Sequence, residues 1–210
     1  DRVTAMSTAA LDALAPLRRF VRAMTVLVGT TDDEPRLLAE ARTHLAALIA
    51  DDAWLPDEFA TPRPERYMQY LLHCDPLERF SVVSFVWQPG HATPVHDHTV
   101  WGLVGQLRGA ERCEEYAGDG ARTVAPGASH VMEAGAIDAV SPSIGDWHRV
   151  LNATADRTAV SIHVYGANIG AVRRHRLDAD GSIRDFVSGY DSVVTPNLWD
   201  RAQAVRAGTC

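Results

Sequence analysis

The stretch Gly90-His91-Ala92-Thr93-Pro94-Val95-His96-Asp97-His98-Thr99-Val100-Trp101-Gly102 decides how this chain reads. A Pro-Gly and a Thr-Pro dipeptide bias the backbone toward turn and then extended geometry just before two histidines separated by one residue. On a β-strand His96 and His98 point to one side, with Cα atoms about 7 Å apart, and Asp97 points to the other. That span suits two imidazoles gripping one metal ion, since zinc-like and iron-like ions bond imidazole nitrogen at about 2.0–2.1 Å. A third ligand must come from elsewhere in the sheet, and His148, in Gly145-Asp146-Trp147-His148, is the best candidate. A surface His-x-His pair is the competing reading, and the surroundings weigh against it.

Those surroundings carry a resemblance. Gly90, His96, His98, Gly102 and Gly109 fall at the spacing of the first signature of the cupin superfamily, with Gly102 where that signature holds a glutamate ligand. Gly145, His148 and Asn152 match the end of the second, and Pro142 stands one residue early. The resemblance implies a mainly β fold, a cupin jelly-roll barrel or double-stranded β-helix, with a metal held by three histidines and no carboxylate.

A chain of 210 residues, 46% hydrophobic, can bury a full core and reads as one domain overall. Residues 1–64 are expected to form a helical segment packed on the barrel, and residues 65–210 the cupin barrel with a C-terminal extension. A net charge of -7 argues against a nucleic-acid surface, which needs clustered Lys and Arg. No apolar run is long enough to span a membrane. Cys74, Cys113 and Cys210 are odd in number and widely separated, which suits free thiols in the cytoplasm, the location expected here. The N-terminus also lacks the order of a secretory signal.

Leu11, Leu14, Leu17, Phe20, Val21 and Met24 recur at spacings of three and four, predicting a helix from Thr4 to about Val28. A second, capped by Asp32, Asp33 and Glu34, should reach about Ile49, and a helical turn is expected at Pro56 to Ala60. The period then changes to two. Strands are expected at Tyr67 to Cys74, Phe80 to Trp87, Trp101 to Leu107, Ala110 to Tyr116, Ser129 to Glu133, His148 to Leu151 and Thr158 to Tyr165. A hairpin should follow, Ala171 to Leu177 and Ser182 to Val187, with a short tail helix from Leu198 to Val205.

Three neutral imidazoles leave a divalent charge uncompensated, so such a site favours an anionic ligand, and a thiolate fits because a metal deprotonates a thiol. The next motif is Ser161-Ile162-His163-Val164-Tyr165, whose three polar residues share one strand face and could form a row running toward the metal; a solvent-facing stripe is the alternative. His96-Asp97-His98, His148 and this row together resemble the thiol dioxygenases, the family of cysteine dioxygenase, over roughly Tyr67 to Arg174. The resemblance implies Fe(II) on the three histidines, a small thiol carboxylate and O2 as substrates, a sulfinate product, and Tyr165 beside the iron with Ser161 and His163 behind it.

Two departures bear on substrate. The mammalian-type enzyme grips the cysteine carboxylate with an arginine, and the matching position here is Gln69. The same enzyme links a cysteine to its active tyrosine, whereas Thr99 to Leu103 contains no thiol, so Tyr165 should be unmodified. The glutamine resembles the bacterial branch that prefers 3-mercaptopropionate. An amide supplies hydrogen bonds but no charge, so Arg174, with Arg173 as fallback, is expected to hold the carboxylate. Trp101 and Trp147 are expected to pack around the site. The alternatives are cysteine dioxygenase proper and a non-catalytic cupin binding a metal or small ligand. Cupins are often dimers, which keeps a homodimer open, and no surface pattern in the sequence counts subunits.

Overall fold

The computed structural model describes residues 13–118, 125–192 and 202–208. Two helices come first, α1 (Ala15–Thr30) and α2 (Glu34–Ile49). Pro16 occupies the first turn of α1, where a missing N–H costs nothing. The expected start at Thr4 lies outside the described residues. Asp33 caps α2, its side chain accepting the Arg36 amide at 3.2 Å. A short 3-10 turn, Asp57–Phe59, leads into the strands.

Among the described residues eleven strands follow: β1 (Met68–Cys74), β2 (Ser81–Trp87), β3 (Val95–His96), β4 (Gly102–Arg108), β5 (Ala110–Ala117), β6 (Ala125–Glu133), β7 (Ile137–Val140), β8 (Trp147–Asn152), β9 (Ala159–Tyr165), β10 (Arg174–Leu177) and β11 (Ile183–Phe186). They pair as two antiparallel sheets, β1-β2-β9-β4-β7 and β11-β10-β3-β8-β5-β6. The molecule is mainly β, a double-stranded β-helix of the cupin type with helices in front of its strands. A last helix, α3 (Ala202–Ala207), overlaps the expected tail helix, whose start lies outside the described residues. No described helix is long and apolar enough to cross a membrane.

The five-stranded sheet is covered on both faces, and β9 at its middle shows how. Val160, Ile162 and Val164 join the core formed with Met24, Leu45 and Leu48 of the helices, each burial contributing about 1.5–3 kcal/mol. Ser161, His163 and Tyr165 take the opposite face, toward the second sheet. The helices come close because Gly105 has no side chain: a Cβ there would stand 3.1 Å from Leu45 and Ile49.

Three departures from the expected strands have local causes. β3 is only two residues long, so His98 lies beyond the strand that was expected to carry both histidines. The ladder stops because the Asp146 carboxylate takes the amides of His98 and Thr99, and Thr99 turns to φ +60. β6 starts four residues earlier than expected, since Pro126 and Gly127 are tolerated on an edge strand. β7 has weak strand residues, Asp138 and Ala139, and owes its form to pairing with β4.

Candidate metal centre

Strand pairing brings the histidines together. His96 on β3 lies directly opposite His148 on β8. His98, two residues on, turns back so that the three rings sit at the corners of a near-equilateral triangle, with centroids 4.8–4.9 Å apart. All three are buried, and one donor nitrogen from each lies within 4.8 Å of the others, a group able to hold a metal ion. Asp97 faces away, its carboxylate accepting the amide and Nδ1 of His175 at 2.7 Å each.

Each ring is aimed by its other nitrogen. His96 Nδ1 contacts the Pro94 carbonyl at 3.1 Å, His98 Nδ1 contacts Asp146 Oδ1 at 2.9 Å, and His148 Nδ1 contacts Cys113 Sγ at 3.6 Å. With Nδ1 donating, each Nε2 is left as an inward lone pair. His98 Nε2 is buried without a hydrogen-bond partner. Burial first, then His148 and Arg174, holds His98 well below the usual imidazole range, and burial lowers His148 to about 4. The rings are therefore neutral ligands at ordinary pH. An orphaned lone pair among three neutral imidazoles fits a divalent transition metal, and carboxylate or carbonyl partners behind such ligands tune their basicity. Asp146 was not singled out in the sequence, although it lies two residues before His148.

The row on β9 is continuous. Ser161 Oγ lies 2.8 Å from His163 Nε2, and His163 Nδ1 lies 2.7 Å from the Tyr165 hydroxyl. The Tyr165 ring stacks on His98 at 5.4 Å. Burial pushes the Tyr165 phenol up and holds His163 well below the usual imidazole range, so both are neutral.

His96, His148, His163 and Tyr165 line one cavity of about 170 Å³, together with Gln69 and Arg174. Arg174 is 4% exposed and has no ion-pair partner among the described residues. Its guanidinium donates to Ser188 Oγ at 2.7 Å and lies 4.6 Å over the Phe186 ring, while its buried Nε has no hydrogen-bond partner. Arg173 points elsewhere, toward Asp185 and the Val205 carbonyl, and does not line the cavity. Tyr67, Phe85 and Trp87 form a stacked aromatic wall that the sequence did not single out. Trp101 and Trp147 do not line the cavity: Trp101 covers Gly166, and Trp147 stacks on His175 at 6.4 Å.

The model of the family described as cysteine dioxygenase type I matches residues 39–177, well over half of the chain. The chain belongs to that family. The match takes in the three histidines, the Ser-His-Tyr row, Gln69 and Arg174, while Phe186 and Ser188 of the cavity lie beyond it. It makes the protein a dioxygenase of the oxidoreductase class with a metal-capable centre. Among solved structures the chain is similar to a double-stranded β-helix protein of Klebsiella pneumoniae, at 15% identity and TM-score 0.43, covering 61% of this chain and 91% of that one. It is also similar to a cupin superfamily protein of Desulfitobacterium hafniense, at 9% identity and TM-score 0.40, covering 51% and 83%. A Cupin 2 conserved barrel domain protein of Salinispora arenicola matches at 21% identity and TM-score 0.40, covering 53% and 85%.

A second group, Cys113, His130 and Asp138, also clusters. Its His130 Nε2 is already engaged by Asp138 Oδ2 at 2.6 Å, so it reads as a hydrogen-bonded pair beside a thiol that burial pushes up to about 12.

Proposed function

We propose that this protein is an Fe(II)-dependent thiol dioxygenase that oxidises a small mercapto carboxylate, 3-mercaptopropionate above cysteine, to its sulfinate. One observation carries the reading. His96 and His148 of the histidine trio and an unpaired, buried guanidinium face the same small cavity, which therefore fits a ligand with a soft anion at one end and a carboxylate at the other. A buried charge without a partner is costly, and a substrate carboxylate relieves that cost at Arg174.

The choice between the two thiols rests on the cavity wall. Among its described lining residues are Arg174 and Arg176 and no Asp or Glu. Arg176 has its own partner in Asp178 at 3.0 Å, so the ammonium group of cysteine would meet the unpaired Arg174 and find no carboxylate in the lining, whereas 3-mercaptopropionate carries no ammonium.

Ferrous iron held by His96, His98 and His148 would supply the coordination sites for thiolate and O2 and the electronic link between them. In the net reaction a thiolate and O2 give a sulfinate, so sulfur loses the electrons that O2 gains and no outside reductant is needed. Arg174 and Gln69 hold the carboxylate. Tyr165, kept protonated by burial, offers its hydroxyl hydrogen to the reacting end of the cavity, and His163 and Ser161 keep its ring and oxygen in place. The wall of Tyr67, Phe85 and Trp87 keeps water from the oxidised sulfur.

The test is O2 uptake and sulfinate formation by the iron-loaded protein with 3-mercaptopropionate and with cysteine. The expected result is sulfinate from both with a higher kcat/KM for 3-mercaptopropionate. A higher value for cysteine makes it a cysteine dioxygenase proper, and no sulfinate from either removes the enzymatic reading.

A further inference from the structure

The Ser161–His163–Tyr165 row does not stop at Ser161. Behind it, on β5, stands Glu111, a carboxyl with 0% exposure. The Ser161 hydroxyl from β9, the Gln106 amide from β4 and the Trp87 indole from β2 all face it. Gln106 Nε2 lies 3.3 Å from Glu111 Oε1, Trp87 Nε1 lies 3.4 Å from Ser161 Oγ, and Glu111 Oε2 is buried with no hydrogen-bond partner. We infer that Glu111 is the far end of this row, a positioning residue whose protonation decides whether the Tyr165 hydroxyl hydrogen points to His163 or into the cavity.

The hydrogens can be followed atom by atom. With Glu111 ionised, Ser161 O–H donates to the carboxylate, His163 Nε2–H donates to Ser161 Oγ, and Tyr165 O–H is used up on His163 Nδ1. With Glu111 protonated, its O–H donates to Ser161, Ser161 O–H donates to His163 Nε2, and His163 Nδ1–H donates to the tyrosine oxygen. The Tyr165 hydrogen is then free for a ligand in the cavity. The two states differ by one proton, taken up at Glu111 from solvent, and every other group in the row stays neutral.

The groups facing Glu111 from β2, β4 and β9 are uncharged, and its partners in register on β6 and β8 are Met132 and Asn152. Its titratable neighbours are Cys113, two residues along β5, whose thiol is pushed up chiefly by burial, and His163, one hydrogen bond beyond Ser161. Burial pushes the Glu111 carboxyl up to about 8, against the opposing pull of Ser161, Gln106 and Trp87. The acid form therefore dominates near neutrality, the state that leaves Tyr165 free to donate.

Infrared difference spectroscopy of the metal-free protein, with Glu111→Gln and Tyr165→Phe to assign bands, tests this without turnover. The expected result is a protonated-carboxyl band that titrates near pH 8 and a Tyr165 C–O band that shifts with it, the shift vanishing in Glu111→Gln. A missing carboxyl band, or a Tyr165 band that does not move with it, overturns the inference. Its consequence for turnover rests on the thiol dioxygenase reading: with 3-mercaptopropionate, kcat/KM of the wild type should fall about tenfold from pH 7 to pH 9, and that of Glu111→Gln by less than about twofold. The same fall in both proteins overturns it. Coupled bands in a protein that makes no sulfinate would support the hydrogen-bond row and sink the thiol reading instead.

Discussion

Gly102 and Tyr165 face each other across β4 and β9, and a Cβ built on Gly102 would stand 2.7 Å from Tyr165 Cδ1 and 3.0 Å from Cε1. The position where the cupin pattern places a glutamate ligand is thus given up so that a tyrosine ring can lie against His98. The missing carboxylate and the Tyr165 row are one packing decision. Replacing Gly102 by Ala should displace the Tyr165 ring and destabilise the protein by about 1–3 kcal/mol. Iron content should be retained while kcat falls, as read by metal analysis beside steady-state kinetics. Unchanged kcat would show that the ring position does not matter.

Asp146 holds the His98 ring and also the two amides that end β3. Asp146→Asn keeps one oxygen, hence either the two His98 contacts of Oδ1 or the Thr99 contact of Oδ2, and loses the charge. Metal affinity should fall about tenfold to hundredfold, measured by competition with a chelator. Loss of a similar size in Asp97→Asn, whose carboxylate faces His175, would remove the specific role of Asp146.

Much of this was legible because the period-two pattern survives folding. Alternation put Ser161, His163 and Tyr165 on one face of β9, the glycine, histidine and asparagine spacings placed His148, and Asp97 faces away from the histidines although the strand expected to set its direction ends at His96. Other residues were hidden because their partners are remote in sequence: Asp146 meets His98 across 48 positions. Glu111 reads as an ordinary charged strand residue until Trp87, Gln106 and Ser161 converge on it from three other strands. Arg173 and Arg174 are likewise neighbours in sequence told apart only by their partners: Arg174 opens β10 and meets Ser188, and Arg173 stands just before it and meets Asp185 and the Val205 carbonyl.

Arg174 should act on binding and hardly on chemistry. Arg174→Gln is expected to raise KM for 3-mercaptopropionate about tenfold to hundredfold, the worth of a charge-assisted hydrogen bond, with little change in kcat. A neutral thiol such as 2-mercaptoethanol should be used equally by both proteins. Equal loss with both thiols would assign Arg174 to structure alone.

The metal-free protein should lose stability in acid. His96, His98, His148 and His163 are all held below their unfolded value of 6.5, chiefly by burial. The unfolded chain therefore binds protons first, and the stabilisation present above pH 6.5 is lost as pH falls toward about 4, the folded value of His148. Between pH 7 and pH 5 the wild type should lose about 2 kcal/mol more than His148→Asn in urea unfolding. Burial pushes Asp146 and Glu111 the other way, which is why the comparison is made against the variant. Equal losses would mean that His148 is not held neutral by burial.

The central claim is that a thiolate and O2 meet at one ion held by His96, His98 and His148. It is tested most directly by turning over 3-mercaptopropionate under O2 labelled with the heavy oxygen isotope and weighing the product. The account predicts a sulfinate carrying both labelled atoms, formed with added Fe(II) and abolished in His148→Ala. A product with oxygen from water, or equal turnover in His148→Ala, would contradict it.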